Sequence, residues 1–362
     1  MERVGRITIG SVCDVKTGKL DANASNENGT YPFFTCSKEP LRINTFSYDA
    51  ECVLIAGNGD LNVKYYNGKF DAYQRTYIIA LKTGITNISV RYLFAFFSLY
   101  VETLRRKSIG GVIKYIKLGD ITEAKIPIPP LQEQERIVAE LDLLTGIIDK
   151  QKQQLKELDT LAQSIFYDMF GSPDANEKEW IMKSLAEIGT IVSGSTPSTS
   201  DESNWDGDVN WVTPAELGVQ LFYGETRRKI TSKAAKSLTI MPIGTLLMSS
   251  RAPIGKLAIT SVPMCCNQGF KNIVCGNNVN NIYLYYCLML NINSIKAMGR
   301  GATFKEVSKQ AVSSFEIMLP PMNLQEPFAQ KILSIESQKK SINRSIAESQ
   351  KLFDYTMDKY FG

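Results

Sequence analysis

One offset governs most of this chain. Pro129-Pro130 and Pro320-Pro321 stand 191 residues apart, and the same offset runs without a gap over about eighty positions. It pairs Tyr92-Leu93 with Tyr283-Leu284, Gly110 with Gly301, Lys114 with Lys305, Gln134-Glu135 with Gln325-Glu326, and Phe170-Gly171 with Phe361-Gly362. Such self-similarity identifies a tandem repeat before any local pattern is considered. Upstream the match drifts: Gln74 aligns with Gln268 at 194, and Gly18 with Gly194 at 176. The extra residues of the second copy fall between Pro197 and Tyr223, where Ser, Asp, Asn and Gly cluster as in a long loop. At 362 residues, each copy is long enough to bury a core of its own.

The more similar part of each copy reads as a helix. Pro129-Pro130 disfavours helix before it and is compatible with a helix start. From Ile137 a 4-3 spacing continues through Leu141, Leu144, Ile148, Gln151, Leu155, Leu158, Ala162, Ile165 and Met169. The second copy gives Phe328, Ile332, Ile335, Lys339, Ile342, Ile346, Ser349, Phe353, Thr356 and Tyr360, the same seam with more polar members. Its Pro327 replaces Arg136 and is expected in a first turn, where proline is tolerated. Each helix would be roughly 50 Å long. The seam either packs on its own globular part or meets the other seam. Tandem order favours an antiparallel pair, with the globular parts at opposite ends and an approximate two-fold axis between them.

Ahead of each helix lies a more variable, strand-rich part. Cys52–Ile55, Thr76–Ile79, Thr245–Met248 and Leu257–Thr260 are β-prone runs bounded by Gly, Asn, Asp or Pro. Tyr92 to Arg106 and Ile282 to Met298 suit one apolar helix per copy. The fold class is therefore α+β: two mixed globular domains and two long helices forming a coiled coil, in a pseudo-two-fold tandem repeat. The boundaries are 1–108, 109–171, 172–298 and 299–362.

Composition removes much chemistry. There is no histidine, hence no Ser-His or Cys-His pair and no imidazole metal ligand. The seven cysteines are odd in number, irregularly spaced and set among apolar residues, as buried free thiols are. No complete phosphate-binding glycine motif or nucleophile elbow occurs, and Gly57-Asn58-Gly59-Asp60 reads as a tight turn. The Pro-Pro tetrads are Ile128-Pro129-Pro130-Leu131 and Leu319-Pro320-Pro321-Met322. They lack the amide or carboxylate and the aromatic that amino-methyltransferases place around the prolines. A chain without catalysis and without a bound cofactor or metal is expected. The N-terminus has no apolar leader and Tyr92 to Val101 is about half a membrane span, which predicts a cytoplasmic protein without a membrane partner.

The net charge of +4 is modest, but the globular parts hold the excess and the first long helical stretch is acidic. Bases cluster at turns and segment ends: Lys64, Arg75 and Lys114 in the first copy; Arg227, Arg228, Arg251, Lys256, Lys271 and Lys305 in the second. Basic loops on a rigid scaffold can grip phosphates. Gln74 and Gln268 stand beside them, and amides and guanidinium groups are what make bidentate contacts with base edges. These eleven residues are the candidate DNA-binding set. Both glutamines could equally serve a structural turn.

The string Ile126-Pro127-Ile128-Pro129-Pro130-Leu131-Gln132-Glu133-Gln134-Glu135-Arg136-Ile137-Val138 and its copy from Ile317 to Ala329 resemble the specificity subunit of Type I restriction-modification enzymes. So do Gly194-Ser195-Thr196-Pro197, Asn267-Gln268-Gly269-Phe270, and the Gly110–Lys114 and Gly301–Lys305 strings. The resemblance covers essentially the whole chain. It implies two target-recognition domains, at 1–108 and 172–298, each reading half of a bipartite, asymmetric double-stranded DNA target. The helices would set the spacer and dock two modification subunits. Those partners would bring S-adenosylmethionine and methylate adenine; restriction subunits would bring ATP and Mg. It implies a prokaryotic cytoplasmic protein of phage defence with no chemistry of its own. On the residues alone, a coiled-coil scaffold that binds no DNA and a fragment of a methyltransferase-nuclease remain as alternatives.

Overall fold

The computed structural model describes residues 5–218, 220–251, 253–299 and 306–362. Outside them lie the N-terminal residues 1–4 read above, Lys305, and the whole Gly301–Lys305 string. The chain folds into two compact units, Met1–Lys152 with Arg344–Gly362, and Gln153–Asn343.

The first unit is built on a six-stranded sheet in the order Cys13–Thr17, Thr76–Leu81, Tyr48–Ala56, Val63–Ala72, Tyr31–Phe34, Leu41–Ile43. All pairings are antiparallel except Tyr31–Phe34 against Val63–Ala72. The run Cys52–Ile55 lies in a central strand and is buried on both faces. Val53 and Ile55 meet Tyr92, Leu93 and Phe97 of the helix Val90–Lys107, while Cys52 and Leu54 join Phe34, Phe70 and Ile78. That two-sided burial explains a continuous apolar run where a half-exposed strand would alternate.

The second unit has a five-stranded sheet, Gly189–Ser193, Lys271–Cys275, Leu246–Met248, Leu257–Thr260, Phe222–Tyr223, and a three-stranded one, Arg228–Ile230, Trp205–Val212, Cys265–Cys266. Two sequence expectations fail here. The stretch from Pro197 to Tyr223 is not one long loop: Trp205–Val212 is the middle strand of the smaller sheet. Trp205 and Trp211 there build a separate core with Ile230 and Ala234, which outweighs the turn-forming residues around them. Nor is Ile282 to Met298 one helix. It breaks into Asn281–Leu290 and Ile292–Ala297 at Asn291, whose buried amide bonds back to the Cys287 carbonyl at 3.1 Å. A side chain competing for backbone groups in this way ends a helix locally.

The repeat offsets reappear as register. Cys13 faces Leu81 as Gly189 faces Cys275, and Thr17 faces Tyr77 as Ser193 faces Lys271, with offsets of 176 on one strand and 194 on the other. In each unit a short strand closes the base of the globular part, Arg6–Thr8 against Lys125–Pro127 and Met182–Ser184 against Glu316–Met318. The two prolines after it end the strand, and helices of 40 residues follow, Leu131–Phe170 and Met322–Phe361. The second helix begins at Met322, so Pro327 sits in its second turn rather than the first; the helix continues through it without a break.

Within the first unit the two helices pair antiparallel. Arg136 donates to the Tyr360 hydroxyl at 2.8 Å, and fifteen residues further along one helix and fifteen back along the other, Gln151 donates to Ser345 Oγ at 2.7 Å. Ile137 and Leu141 share a core with Met357 and Phe361. Within the second unit Ala162, Phe166 and Phe170 meet Phe328, Ile332 and Ile335, and the seam residue Lys339 reaches Asp159 at 2.8 Å. Every seam residue named from sequence is buried or half-buried. Each unit therefore contains the globular part of one copy, the start of that copy's helix and the end of the other copy's helix. Phe361 packs on Tyr92 with ring centroids 5.1 Å apart, and Phe170 on Tyr283 at 4.9 Å.

Candidate nucleic-acid interface

In the first unit, three loops meet at one end of the sheet. The turn Gly57-Asn58-Gly59-Asp60 links two neighbouring strands. Gly57 N donates to the Arg75 carbonyl at 2.8 Å, and its own carbonyl accepts from Ile116 N at 3.0 Å. Gly59, at φ +68°, donates to the Lys114 carbonyl at 3.0 Å. A Cβ on Gly57 would lie 2.4 Å from the Arg75 oxygen, so in this unit a side chain at that position would collide with the neighbouring loop's backbone. The segment expected to be a tight turn is the start of a six-residue connection, 57–62, between two paired strands, and it joins the loops that carry the candidate bases.

Gln74, Arg75 and Lys114 are exposed on this loop cluster. Lys64 lies at its margin, half-buried, with its ammonium bonded to Asn62 Oδ1. Burial pushes the Lys64 pKa below its usual value despite the opposing influence of Cys36 and Glu39. Asn62 in turn donates to the Cys36 and Asp60 carbonyls, both at 2.9 Å. At the tip of the third loop, Val112 and Ile113 are exposed.

The second unit repeats this scaffold with different side chains. Ser250 N donates to the Gly269 carbonyl at 2.8 Å, and the Ser250 carbonyl accepts from Val307 N at 2.9 Å. Around it, Arg251 pairs with Glu306 at 3.0 Å, and Lys271 reaches the same carboxylate at 3.3 Å and Ser250 Oγ at 3.4 Å. Burial alone would raise the Glu306 pKa, but hydrogen bonds from Arg251 and Lys271 hold it below the usual carboxylate range. Lys271 is buried and its ammonium already has an anionic partner. Lys256 is half-buried in the loop that begins at Ser249, whose Oγ accepts from Lys256 N at 2.8 Å.

Gln268 is exposed, and its Oε1 accepts from Thr196 Oγ1 at 2.6 Å. One residue before Thr196, the Ser195 carbonyl accepts from Trp211 Nε1 at 3.1 Å. Trp211 and Trp205 stand edge to face, and the guanidinium carbon of Arg228 lies 3.6 Å from the Trp205 ring centroid and 5.6 Å from that of Trp211. Arg227 is exposed on the same segment, its backbone N–H held by Glu216 at 2.7 Å.

Of the eleven candidates, the structure thus gathers Gln74, Arg75 and Lys114 in one unit with Lys64 beside them. In the other it gathers Arg251, Gln268, Lys271 and Lys256, with Arg228 and Arg227 linked to Gln268 through Trp211, Ser195 and Thr196. Sequence reasoning missed Glu306, Thr196, Ser250 and the two tryptophans. The alternation of Trp205, Val209 and Trp211 was a usable strand signal; nothing local marks Glu306 as the partner of Lys271. Among the described residues no helix is long and apolar enough to cross a membrane.

A family model described as Type I restriction modification DNA specificity domain matches residues 1–160 and 177–349. The specificity subunit of the Escherichia coli Type I restriction enzyme EcoDI is 37% identical over 152 residues, 42% of this chain and 33% of that protein. The specificity subunit of the MjaIX enzyme of Methanocaldococcus jannaschii is 39% identical over 158 residues, 42% of this chain and 37% of that protein. The matched region is thus about a third of the length of either relative. A crystal structure of a Type I restriction-modification S subunit from M. genitalium superposes with a TM-score of 0.63 at 16% identity, covering 99% of this chain and 96% of that one. A chain from a study of complex assembly and conformational transition of the type I R-M system gives 0.60 at 20% identity, covering 99% and 97%. Both likenesses concern the fold.

Proposed function

The chain belongs to the Type I restriction-modification DNA specificity family, and from that premise we propose that it is the sequence-reading subunit of such a complex. Each unit reads one half of a split double-stranded DNA target through its loop cluster, and the two long helices set the spacer. Because the two clusters share a backbone scaffold but not their side chains, the two half-sites differ. The exposed faces of the helices dock two modification subunits, which bring S-adenosylmethionine and methylate adenine. Restriction subunits add ATP- and Mg-dependent cleavage in the prokaryotic cytoplasm. This chain contributes no catalytic group.

The observation that carries the reading is the duplicated loop junction. Gly57 and Ser250 occupy the same place, each bonded on one side to the turn before a central strand and on the other to the segment leading to the helix. In both units that junction presents exposed Gln and Arg side chains, the types that read base edges and grip phosphates.

Co-expression with the modification subunit of its own operon, followed by mapping adenine methylation on random-sequence DNA, tests this. A split, asymmetric motif is expected, one half of which changes when residues 1–108 are exchanged for those of another member. Failure both to form the complex and to bind duplex DNA would overturn the reading in favour of a coiled-coil scaffold.

A further inference from the structure

Among the bases of the second unit, Arg228 is held differently from the rest. Arg251 and Lys271 share Glu306, so both are already engaged by one carboxylate. Arg228 has no carboxylate within ion-pair distance and no side-chain hydrogen bond among the described residues. Its guanidinium instead rests 3.6 Å from the centre of the Trp205 ring, with Trp211 perpendicular to that ring and 5.6 Å from the guanidinium. Both tryptophans are buried and fixed from behind: Trp205 Nε1 donates to the Ser198 carbonyl at 3.2 Å and Trp211 Nε1 to the Ser195 carbonyl at 3.1 Å. The backbone of Arg228 is equally fixed, since it faces Trp211 across the strand pair.

The result is a planar cation whose position is set while its N–H donors remain unspent. A flexible arginine loses rotamer entropy when it is immobilised against a ligand, whereas a stacked one has lost it on folding. Stacking on an aromatic face also leaves the edge of the guanidinium free for a bidentate contact. In duplex DNA the bidentate partner of that fork is the O6/N7 edge of guanine in the major groove. A phosphate accepts the same fork, but a phosphate contact carries no sequence information, so base substitution separates the two partners.

We propose that Arg228, positioned by Trp205 and Trp211, reads a guanine in the half-site addressed by the second unit. This rests on the DNA-reading function proposed above and specifies it: Arg228 determines sequence, whereas the other exposed bases of the unit position the duplex. A chain of contacts runs from Trp211 through Ser195 and Thr196 to Gln268, which stands beside the loop junction.

The test uses the complex with its modification subunit and the duplex target found by methylation mapping. Each guanine of the half-site assigned to the second unit is replaced in turn by 7-deazaguanine, which lacks the N7 acceptor. The wild-type complex is expected to lose on the order of tenfold to a hundredfold in affinity at one guanine. Arg228→Lys keeps the charge and removes the fork. It should lose a similar factor on the natural duplex, show no further loss with 7-deazaguanine at that position, and leave the salt dependence and the other half-site unchanged. Trp205→Phe, a milder change, should reduce discrimination at that same guanine. The proposal is overturned if Arg228→Lys discriminates every guanine as the wild type does, if it weakens binding equally on all sequences, or if the half-site contains no guanine on either strand. Absence of any salt-dependent duplex binding by the wild-type complex would instead overturn the DNA-reading function itself, and this inference with it.

Discussion

The side-chain amides of Gln134 and Gln325, 191 residues apart, make the same three hydrogen bonds. Gln134 Oε1 accepts from Ser89 N at 3.0 Å, and its Nε2 donates to the Asn87 and Pro129 carbonyls, both at 2.8 Å. Gln325 Oε1 accepts from Asn280 N at 2.8 Å, and its Nε2 donates to the Asn278 and Pro320 carbonyls at 3.3 and 2.7 Å. Both residues are fully buried. Each ties the start of a long helix to the segment that precedes the helix of its globular part.

Loss of either amide strands buried backbone groups, which is more costly than the bonds themselves. Gln134→Ala and Gln325→Ala should each destabilise the chain by about 2–4 kcal/mol. Urea denaturation of the purified chain would measure it, and a cost below about 1 kcal/mol for either would show that water replaces the amide.

The helix ends are exchanged between copies, so truncating one should weaken the globular part of the other. Phe361→Ala removes a ring packed on Tyr92 and Phe96, and Phe170→Ala one packed on Tyr283 and Phe328. Each is expected to cost about 3–5 kcal/mol. Hydrogen exchange would locate the loss: for Phe361→Ala, protection should fall in residues 90–107, and for Phe170→Ala, in residues 281–290.

Glu306 gives the second unit a pH dependence of known sign. Its folded pKa lies below the ordinary 4.5, so the stability from pairing with Arg251 and Lys271 is complete above that value and fades as the pH falls through the folded one. Between pH 6 and pH 3 the wild type should therefore lose more stability than Glu306→Gln, seen as converging melting temperatures. Parallel curves would mean the carboxylate does not sense its neighbours.

Gly57→Val would drive a side chain into the Arg75 carbonyl and separate the three loops of the first unit. Methylation of a mapped target should fall through the half-site read by that unit, with the other half-site's preferences unaltered. Lys114→Ala, by contrast, should weaken binding on all sequences alike and reduce the log–log salt slope by about one.

Much of this was legible in the sequence because it is local or repeated. The seam from Ile137 to Met169 reports its own burial, since residues 3 and 4 apart share a helix face whatever they pack on. The prolines mark where strand gives way to helix, and Gly57 marks the turn. Legibility ended where the outcome depends on residues far away in the chain. The polar cluster after Pro197 looked like a loop, although Trp205 and Trp211 find Ile230 and Ala234 and form a strand. Lys271 looked like a free surface base, although Glu306 neutralises it from 35 positions away.

The sequence by itself determined that there are two copies, that a long helix follows each proline pair, and that both loop regions are rich in bases and amides. Only the tertiary structure decided which helix end closes which globular part, which bases meet an internal carboxylate, and that Arg228 stacks on Trp205 with its donors unpaired among the described residues. The reason is physical. Periodicity and turn chemistry are properties of neighbouring residues, whereas burial and ion pairing are settled by whatever the folded chain brings within a few ångströms.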